Sequence, residues 1–347
     1  MLSTIPVKPT ASSLHSASAR TRKLVIQGLK IVLVAALFWL LASRGLISVT
    51  ALKNGLRNWT LSLPATLVMV ACQILGILRW QWLLQSQGIH LPFGRVAQLS
   101  LIGNFFNFAL PGAVSGDLVK AFYIGKEIPG RRGNAFGSIL FDRIVGVSAL
   151  VIVSAMALLA GWGHFSGSTL EHGIRILLVT GLSGVIAFYA YLFTVREKHD
   201  PFLNLLKGPL SARAAAGSIL RVYEGVRVYH SSRGTVIRAL TLSCVIHLGV
   251  VTGAYLYAQA LGGASLEWLP VAVIVPLGLL ATAVPVLPGG VGTGHAAFAA
   301  LFLLISSAQG ADVYNLMLIP SILFTAIGGG VYLRFRSTMG LPPEPAE

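Results

Sequence analysis

Polar side chains gather around a helix-breaking sequence in the first half of the chain. The set consists of Asn104, Asn107, Pro111, Gly112, Asp117 and Lys120, all within one apolar stretch. Side-chain amides offer donors and acceptors where water is scarce, and a charge inside an apolar segment is costly enough to indicate a functional site. A second interpretation stays open for Asp117: an acid that starts a helix, here one predicted over 118–125, stabilises the free backbone amides.

A second pair of charges, Asp142 and Arg143, lies near the start of the next apolar run. Adjacent residues do not face each other on a helix, so we expect each side chain to have its own partner. Asp142 is expected to meet Arg131, Arg132 or Lys120. The planar fork of Arg143 suits a phosphate, and a structural ion pair at the membrane interface is the alternative.

A glycine-rich counterpart lies towards the C-terminus and comprises Pro288, Gly289, Gly290, Gly292 and His295. Its backbone amides, at the start of a predicted helix, suit an anion. It lacks the Lys-Ser/Thr of a Walker loop and no strand precedes it, so it does not match a nucleotide-binding loop. Close helix packing is the alternative for the glycines. His295 is expected to bind a headgroup or carry a proton, or else only to cap the helix.

The two breaks match each other. Residues 110–117 (LPGAVSGD) and 287–294 (LPGGVGTG) agree at four of eight positions and lie 177 residues apart. Proline and glycine interrupt helices, and inside a membrane such breaks are tolerated where the backbone lines a cavity or is buried in protein. Matching breaks in two halves predict a transporter-type site between pseudo-symmetric halves.

Composition places the chain among multi-pass membrane proteins. Charged residues make up 11% and hydrophobic residues 55%, against about 25% charged in soluble domains. The net charge of +15 reflects Lys and Arg between the apolar runs and does not indicate nucleic-acid binding. Cys72 and Cys244 lie in apolar runs, so neither a disulfide nor a metal site is expected, and His247 is expected to be a hydrogen-bonded core residue. With 11 acidic residues and no nucleophile–base pair or carboxylate dyad, we predict neither an enzyme nor a cofactor.

Eight apolar segments are long enough to cross a bilayer, at about 20 residues each with one shorter. They are 24–43, 61–83, 136–160, 173–194, 237–261, 268–287, 294–309 and 314–333. A ninth stretch, 96–125, is interrupted by its Pro-Gly break and is predicted to be a re-entrant hairpin. Arg79, at the end of the second segment, is expected to reach the surface along its own apolar stem.

The distribution of Lys and Arg predicts the orientation. These residues concentrate in 120–132 and 195–236 and at the C-terminal end, whereas 161–172, 262–267 and 310–313 contain none. The positive-inside rule therefore puts both termini in the cytoplasm, with the protein in the inner (cell) membrane. The loop 44–60, with three basic residues, disagrees with this orientation.

The domain organisation follows from these segments. Residues 1–23 are predicted to be a disordered cytoplasmic tail before an uncleaved signal anchor, 24–335 a single transmembrane domain, and 336–347 a second disordered tail. The halves are predicted at about 24–194 and 237–335. The basic loop 195–236 between them is predicted to carry an amphipathic helix on the membrane surface.

Taken in order, these motifs resemble the lysylphosphatidylglycerol synthase transmembrane region family, a flippase-like domain that also occurs without its aminoacyl-transferase domain. The resemblance covers about 24–335 and rests on Asn104, Asn107, Pro111, Gly112, Gly116, Asp117, Lys120, Asp142, Arg143 and 288–292. Three positions depart from the family pattern: His295 replaces a usual Glu, Lys120 an Arg, and Ser115 a Gly. The histidine is the departure that bears most on which lipid is bound.

The resemblance implies a lipid translocase that moves a phospholipid or another lipid-linked headgroup across the membrane. Its expected partners are membrane lipids, whether anionic, aminoacylated or otherwise polar. Two alternatives remain open: an accessory membrane subunit whose basic loop docks a lipid-modifying enzyme, and a membrane enzyme acting on lipid-linked substrates. Aminoacyl transfer is not expected, because the synthase domain is not part of this sequence.

Overall fold

Long apolar runs fold as helices in this protein, because a backbone in lipid must satisfy its hydrogen bonds within its own segment. A computed structural model describes residues 49–109, 115–161, 169–208, 216–263, 265–282 and 292–338. Over these ranges the regular structure is entirely helical, which confirms the predicted all-α membrane fold. The helices are α1 (Val49–Arg57), α2 (Trp59–Ser86), α3 (Phe93–Ala109), α4 (Ser115–Glu127), α5 (Arg132–Ala160), α6 (Thr169–Thr194), α7 (Pro201–Lys207), α8 (Ala216–Arg227), α9 (Arg233–Ala260), α10 (Trp268–Thr282), α11 (Thr293–Leu303) and α12 (Gly310–Thr338).

Within the described ranges, five helices are long and apolar enough to cross a membrane. They are α2, α5 and α9, with His172–Thr194 of α6 and Gly310–Arg334 of α12. They correspond to five of the eight predicted crossings. The predicted signal anchor and both predicted tails lie wholly or largely outside the described residues.

The predicted re-entrant stretch is an antiparallel pair of short helices, α3 and α4. At one end of the pair Arg95 of α3 forms an ion pair with Glu127 of α4. At the other end the Ser115 hydroxyl donates to the Phe106 carbonyl at 3.0 Å. Contacts at both ends therefore support the predicted hairpin.

A second hairpin replaces two of the predicted crossings. The segments 268–287 and 294–309 contain helices of only 15 and 11 residues, α10 and α11. At about 1.5 Å per residue neither helix spans the roughly 30 Å hydrocarbon core. Gly278 of α10 lies against the Phe298 ring of α11, as expected for helices that run back along each other. The prediction of two full crossings here is corrected for the described helices, because apolar length alone does not show how much of each segment is helical.

The same order of helices occurs twice. α2, α3, α4 and α5 have 28, 17, 13 and 29 residues, and α9, α10, α11 and α12 have 28, 15, 11 and 29. Each unit is a long helix, a short hairpin and a second long helix. The first unit contains the first break and the second unit contains the second break.

The two units run in opposite directions. The Arg79 Nη1 atom donates to the Ser243 hydroxyl at 2.6 Å, and the Thr66 and Tyr257 hydroxyls are 2.8 Å apart. Later residues of α2 thus contact earlier residues of α9, so the two helices are antiparallel. The repeat is therefore inverted, an arrangement found in many secondary transporters.

Each hairpin packs against the long helix of the other unit. α10 contacts α5, where the Ser154 hydroxyl donates to the Val273 carbonyl at 2.6 Å. α3 contacts α12, where Gly328 leaves no room for a side chain because a Cβ atom would overlap the Leu101 carbonyl. The hairpins are therefore held between the two units.

Gly328→Ala is expected to lower the free energy of unfolding by about 1–3 kcal/mol, as overpacking typically does. Gly330→Ala, two residues further along α12, is the matched control, because a Cβ atom there meets no atom within 4 Å. Alanine has the higher helix propensity, so this control should be neutral or gain up to about 1 kcal/mol. Thermal denaturation of the purified protein in detergent measures both variants, and equal effects would contradict close packing of α3 on α12.

The basic loop is anchored to α6 by a buried carboxylate. Asp200 caps α7 by accepting from the amides of Phe202 and Leu203, both at 3.0 Å. It also accepts from the Tyr223 hydroxyl at 2.6 Å and pairs with Arg227 at 3.2 Å. Burial raises the pKa of Asp200, but these hydrogen bonds outweigh it and hold the pKa below its usual value. α8 confirms a helix in this loop, and its position on the membrane surface stays a prediction.

Candidate functional site

A buried carboxylate joins two cations near the tip of the first hairpin. Asp117, in the first turn of α4, pairs with Lys120 at 2.8 Å and with Arg143 of α5 at 2.9 Å. The Asp117 side chain is 4% exposed, whereas that of Arg143 is 54% exposed. The carboxylate therefore binds one edge of the guanidinium, and much of the group stays accessible.

Asp117 does not begin its helix. α4 starts at Ser115, three residues before the predicted start at 118, and the Asn107 side chain accepts from the Gly116 amide at 2.8 Å. Asn107 therefore accepts from one of the free backbone amides at the start of the helix, a role that the sequence analysis gave to Asp117. The acid is left to bind its two cations.

A second ion pair joins the two long helices of the first repeat unit, and its arginine also bonds to the second unit. Arg79 of α2 donates two hydrogen bonds to the Asp142 carboxylate of α5, at 2.8 and 3.0 Å. It also donates to the Ser243 hydroxyl of α9 at 2.6 Å. The expectation that Asp142 meets Arg131, Arg132 or Lys120 is wrong. The expectation that Arg79 reaches the surface is also wrong, since its side chain is 11% exposed. A two-pronged ion pair inside the bundle stabilises the Arg79 side chain more than contact with water at the membrane interface would.

A cavity of about 510 Å³ lies between the two hairpins and the long helices. Its size falls in the range of about 300–1,000 Å³ typical of small-molecule sites. Polar groups on its wall include Gln73, Asn104, Asn107, Arg143, His247 and Ser321, beside apolar residues such as Met317 and Leu150. The described part of the wall contains no Asp or Glu. A second concavity of about 340 Å³, near Trp82 and Arg238, is lined by none of the predicted site residues.

Both hairpins reach this cavity with the residues next to their breaks. Asn107 and Phe108 come from the end of α3, and Leu279 and Thr282 come from the end of α10. Because α2 and α9 are antiparallel, the hairpins that follow them enter from opposite ends of the bundle. The ends of α3 and α10, which precede the two breaks in the sequence, therefore lie at one cavity.

His295 occupies the position in α11 that Asp117 occupies in α4, the third residue of the helix. It is buried, and its Nδ1 accepts from the Gly292 amide at 3.3 Å while its Nε2 lies 2.9 Å from the Asn315 side-chain oxygen. These contacts assign the proton to Nε2, because Nδ1 must accept. The capping role for His295 is thus present in the structure. Gly292, at a φ of +90°, supplies the left-handed turn before the helix.

The structure unites some of the predicted site residues and separates others. Asn104, Asn107 and Arg143 line the cavity, while Asp117 and Lys120 stand behind Arg143 and Asp142 is held by Arg79. Pro111, Gly112, Pro288, Gly289 and Gly290 lie outside the described residues. Which of these residues bind a ligand stays a prediction.

Several cavity residues were missed by the sequence analysis. Gln73 and Ser321 are polar side chains in otherwise apolar crossing helices, and that exception was the available signal. His247, expected in the core, donates a hydrogen bond from its Nε2 to the Gly146 carbonyl, 3.2 Å away, but it also lines the cavity.

Comparison with known proteins places the chain in a family. Residues 27–326 match the lysylphosphatidylglycerol synthase TM region, which covers both hairpins and the cavity between them. The chain belongs to the lysylphosphatidylglycerol synthase TM region family. It is thus a multi-pass integral membrane protein of a family connected with lipid metabolism.

One relative of this protein is a UPF0104 membrane protein of Pyrococcus horikoshii. The two are 23% identical over 301 residues, which span 80% of this chain and 88% of the relative. No solved structure matches the chain significantly. The family match therefore supports the resemblance drawn from the motifs, and the inverted repeat gives that family region its architecture in this protein.

Proposed function

We propose that this protein is a lipid translocase whose headgroup site is the cavity between the two hairpins. The observation that carries the proposal is a cavity with amide, hydroxyl and guanidinium groups, reached from opposite ends by the two hairpins of an inverted repeat. Transporters of this design bind substrate at the repeat interface near the middle of the membrane. The lipid tails would remain in the bilayer while the headgroup passes through the cavity.

The chemistry of the wall suits a lipid phosphate. A charged headgroup in hydrocarbon loses its hydration, at a cost of many kcal/mol unless polar groups replace the water. Arg143 supplies a forked cationic donor, and Asn104 and Asn107 supply amides from the facing helix. The cavity would lower the barrier to crossing by substituting for water on the headgroup.

The orientation that accompanies the proposal follows from the basic loops. With two hairpins and a predicted crossing at 24–43, the five described spans bring both termini to one side. The positive-inside rule favours the cytoplasm for that side, so the first hairpin would enter from the cytoplasm of the inner membrane and the second from outside.

Translocation is favoured over catalysis by the state of the carboxylates. Asp117 is shared by Lys120 and Arg143, and Asp142 is gripped by Arg79. A general acid or base must reach its substrate, whereas both of these carboxylates are engaged by cations and neither lies on the described wall of the cavity. We therefore propose a protein that moves lipid without changing it and needs no cofactor, with lipid gradients as the driving force.

Replacing Arg143 with glutamine is expected to slow lipid movement by about tenfold or more, equivalent to about 1.4 kcal/mol of lost headgroup binding in the crossing state. The measurement is the rate at which an acyl-labelled phospholipid becomes accessible to a membrane-impermeant quencher in proteoliposomes. Arg238→Gln is the matched control, since Arg238 lines the other concavity, and it should leave the rate unchanged. Wild-type protein that moves no phospholipid faster than empty vesicles would contradict the proposal.

A further inference from the structure

We infer that the cavity selects lipids with an anionic phosphate headgroup that carries no amine. This inference rests on the proposed translocation and specifies its substrate class. It follows from where the structure places positive and negative groups around the cavity, and from which of them are already engaged.

The wall offers a positive donor and no negative acceptor. Arg143 is half exposed and lines the cavity, whereas the described part of the wall contains no carboxylate. An ammonium group is donor-only and needs acceptors, ideally charged ones, to replace its water. A phosphate needs donors, which Arg143 and the amides of Asn104 and Gln73 can provide.

The nearest carboxylates are not free to receive an amine. Asp117 is 4% exposed, and each of its oxygens faces a different cation. Asp142 uses both oxygens to hold Arg79. Releasing either acid for a lipid amine would leave a buried cation unpaired, which typically costs several kcal/mol.

The ionic groups beside the cavity carry a net positive charge. Lys120, Arg143 and Arg79 are three cations, and Asp117 and Asp142 are two carboxylates, which leaves one positive charge. In surroundings of low dielectric this charge attracts a phosphate and repels an ammonium over several ångströms. An aminoacylated headgroup is therefore disfavoured by charge as well as by the lack of a charged acceptor on the described part of the wall.

The second hairpin does not supply the missing negative charge within its described residues. His295, at the position equivalent to Asp117, is neutral in the assigned tautomer, with contacts from Gly292 and Asn315 to its two ring nitrogens. Phe298 stands at the position equivalent to Lys120, the sixth residue of its helix. The charged residues at these equivalent positions therefore belong to the first repeat unit, which also contains Arg143.

The test compares headgroups on identical acyl chains. Proteoliposomes contain trace acyl-labelled phosphatidylglycerol, its lysyl ester, or phosphatidylcholine, and quencher accessibility gives three rates. We expect phosphatidylglycerol to move at least about tenfold faster than the lysyl ester, a difference of about 1.4 kcal/mol. Equal rates for phosphatidylglycerol and its lysyl ester, or faster movement of the lysyl ester, would overturn the inference while leaving translocation intact; phosphatidylcholine, whose cation has no N–H, shows the effect of positive charge without a donor. No movement of any of the three lipids would overturn the proposed function as well.

A soluble-anion arm separates a lipid phosphate from a free one. Glycerol phosphate at millimolar concentration is added to the same vesicles, and uptake of radiolabelled glycerol phosphate is measured in parallel. Lipid movement without uptake supports the lipid headgroup as ligand. Uptake without lipid movement would assign the cavity to a soluble phosphate and overturn the inference.

Adding a carboxylate to the wall should largely remove the selection. Gln73→Glu puts one negative charge on the cavity wall with little change in size, and should lower the ratio of phosphatidylglycerol to lysyl ester rates by about tenfold. Gln85→Glu is the matched control on the same helix, because Gln85 lines the other concavity. An unchanged ratio in the folded Gln73→Glu protein would contradict selection by charge in this cavity.

Discussion

Asp117→Asn is expected to lower the free energy of unfolding by about 3–5 kcal/mol, the range seen when one partner of a buried ion pair is removed. The carboxylate is 4% exposed and pairs with both Lys120 and Arg143. Asparagine keeps the shape but leaves both cations unpaired beside an apolar wall. Because Arg143 also loses the group that orients it, lipid movement should fall with stability.

The measurement is denaturant or thermal unfolding in a fixed detergent, followed by helical circular dichroism. Glu224→Gln is the control, because its pair with Lys207 is more than 40% exposed on both side chains and should be worth less than about 1 kcal/mol. Asp117→Asn combined with Lys120→Met should recover part of the loss, since one orphan cation is removed. Equal, small effects of Asp117→Asn and Glu224→Gln would mean that the buried triad does not stabilise the hairpin.

The sequence was sufficient for the membrane class, the two breaks and one hairpin, because these depend on local properties. Apolar length predicts crossings, and Pro-Gly predicts where a helix is interrupted. The pairing of breaks in two halves also predicted that both would reach one site, and the ends of α3 and α10 do meet at one cavity.

The failures of prediction are non-local. Asp142 lies 63 residues from Arg79, and no spacing rule connects charges on helices that meet only through the fold. The second hairpin was missed for a different reason: 268–287 and 294–309 were read as crossings from length and apolarity, while the helices within them end at 282 and 303. A search for a repeat in the lengths of the segments, beyond the octapeptides, would have indicated it.

The inverted repeat also shows how one architecture acquired two different chemistries. Gly103 makes room for the Lys120 stem in the first hairpin, and Gly278 makes room for the Phe298 ring at the corresponding place in the second. The backbone geometry is thus conserved between the units while the contacting side chain changes from cationic to aromatic. The asymmetry suits a site in which one hairpin binds the charged headgroup and the other supports it through packing.

Arg79→Ala is expected to destabilise the protein by about 3–5 kcal/mol, because Asp142 would keep a buried charge without its partner. Arg79 contacts α5 through Asp142 and α9 through Ser243, so its loss would loosen the contact between the two repeat units. Arg79→Lys should fall between wild type and Arg79→Ala, since an ammonium retains the charge but cannot reproduce the two-pronged geometry.

The double variant Arg79→Ala with Asp142→Ala decides how the pair acts. If the cost of Arg79→Ala arises from an orphaned carboxylate, removing that carboxylate as well should recover about half of the lost stability or more, because apolar replacement of both partners is often nearly neutral. Unfolding of the four proteins in one detergent completes the cycle and isolates the coupling between the two side chains. Strictly additive losses would instead assign the effect to packing of the Arg79 stem, and the link between α2 and α5 would then depend on shape and not on charge.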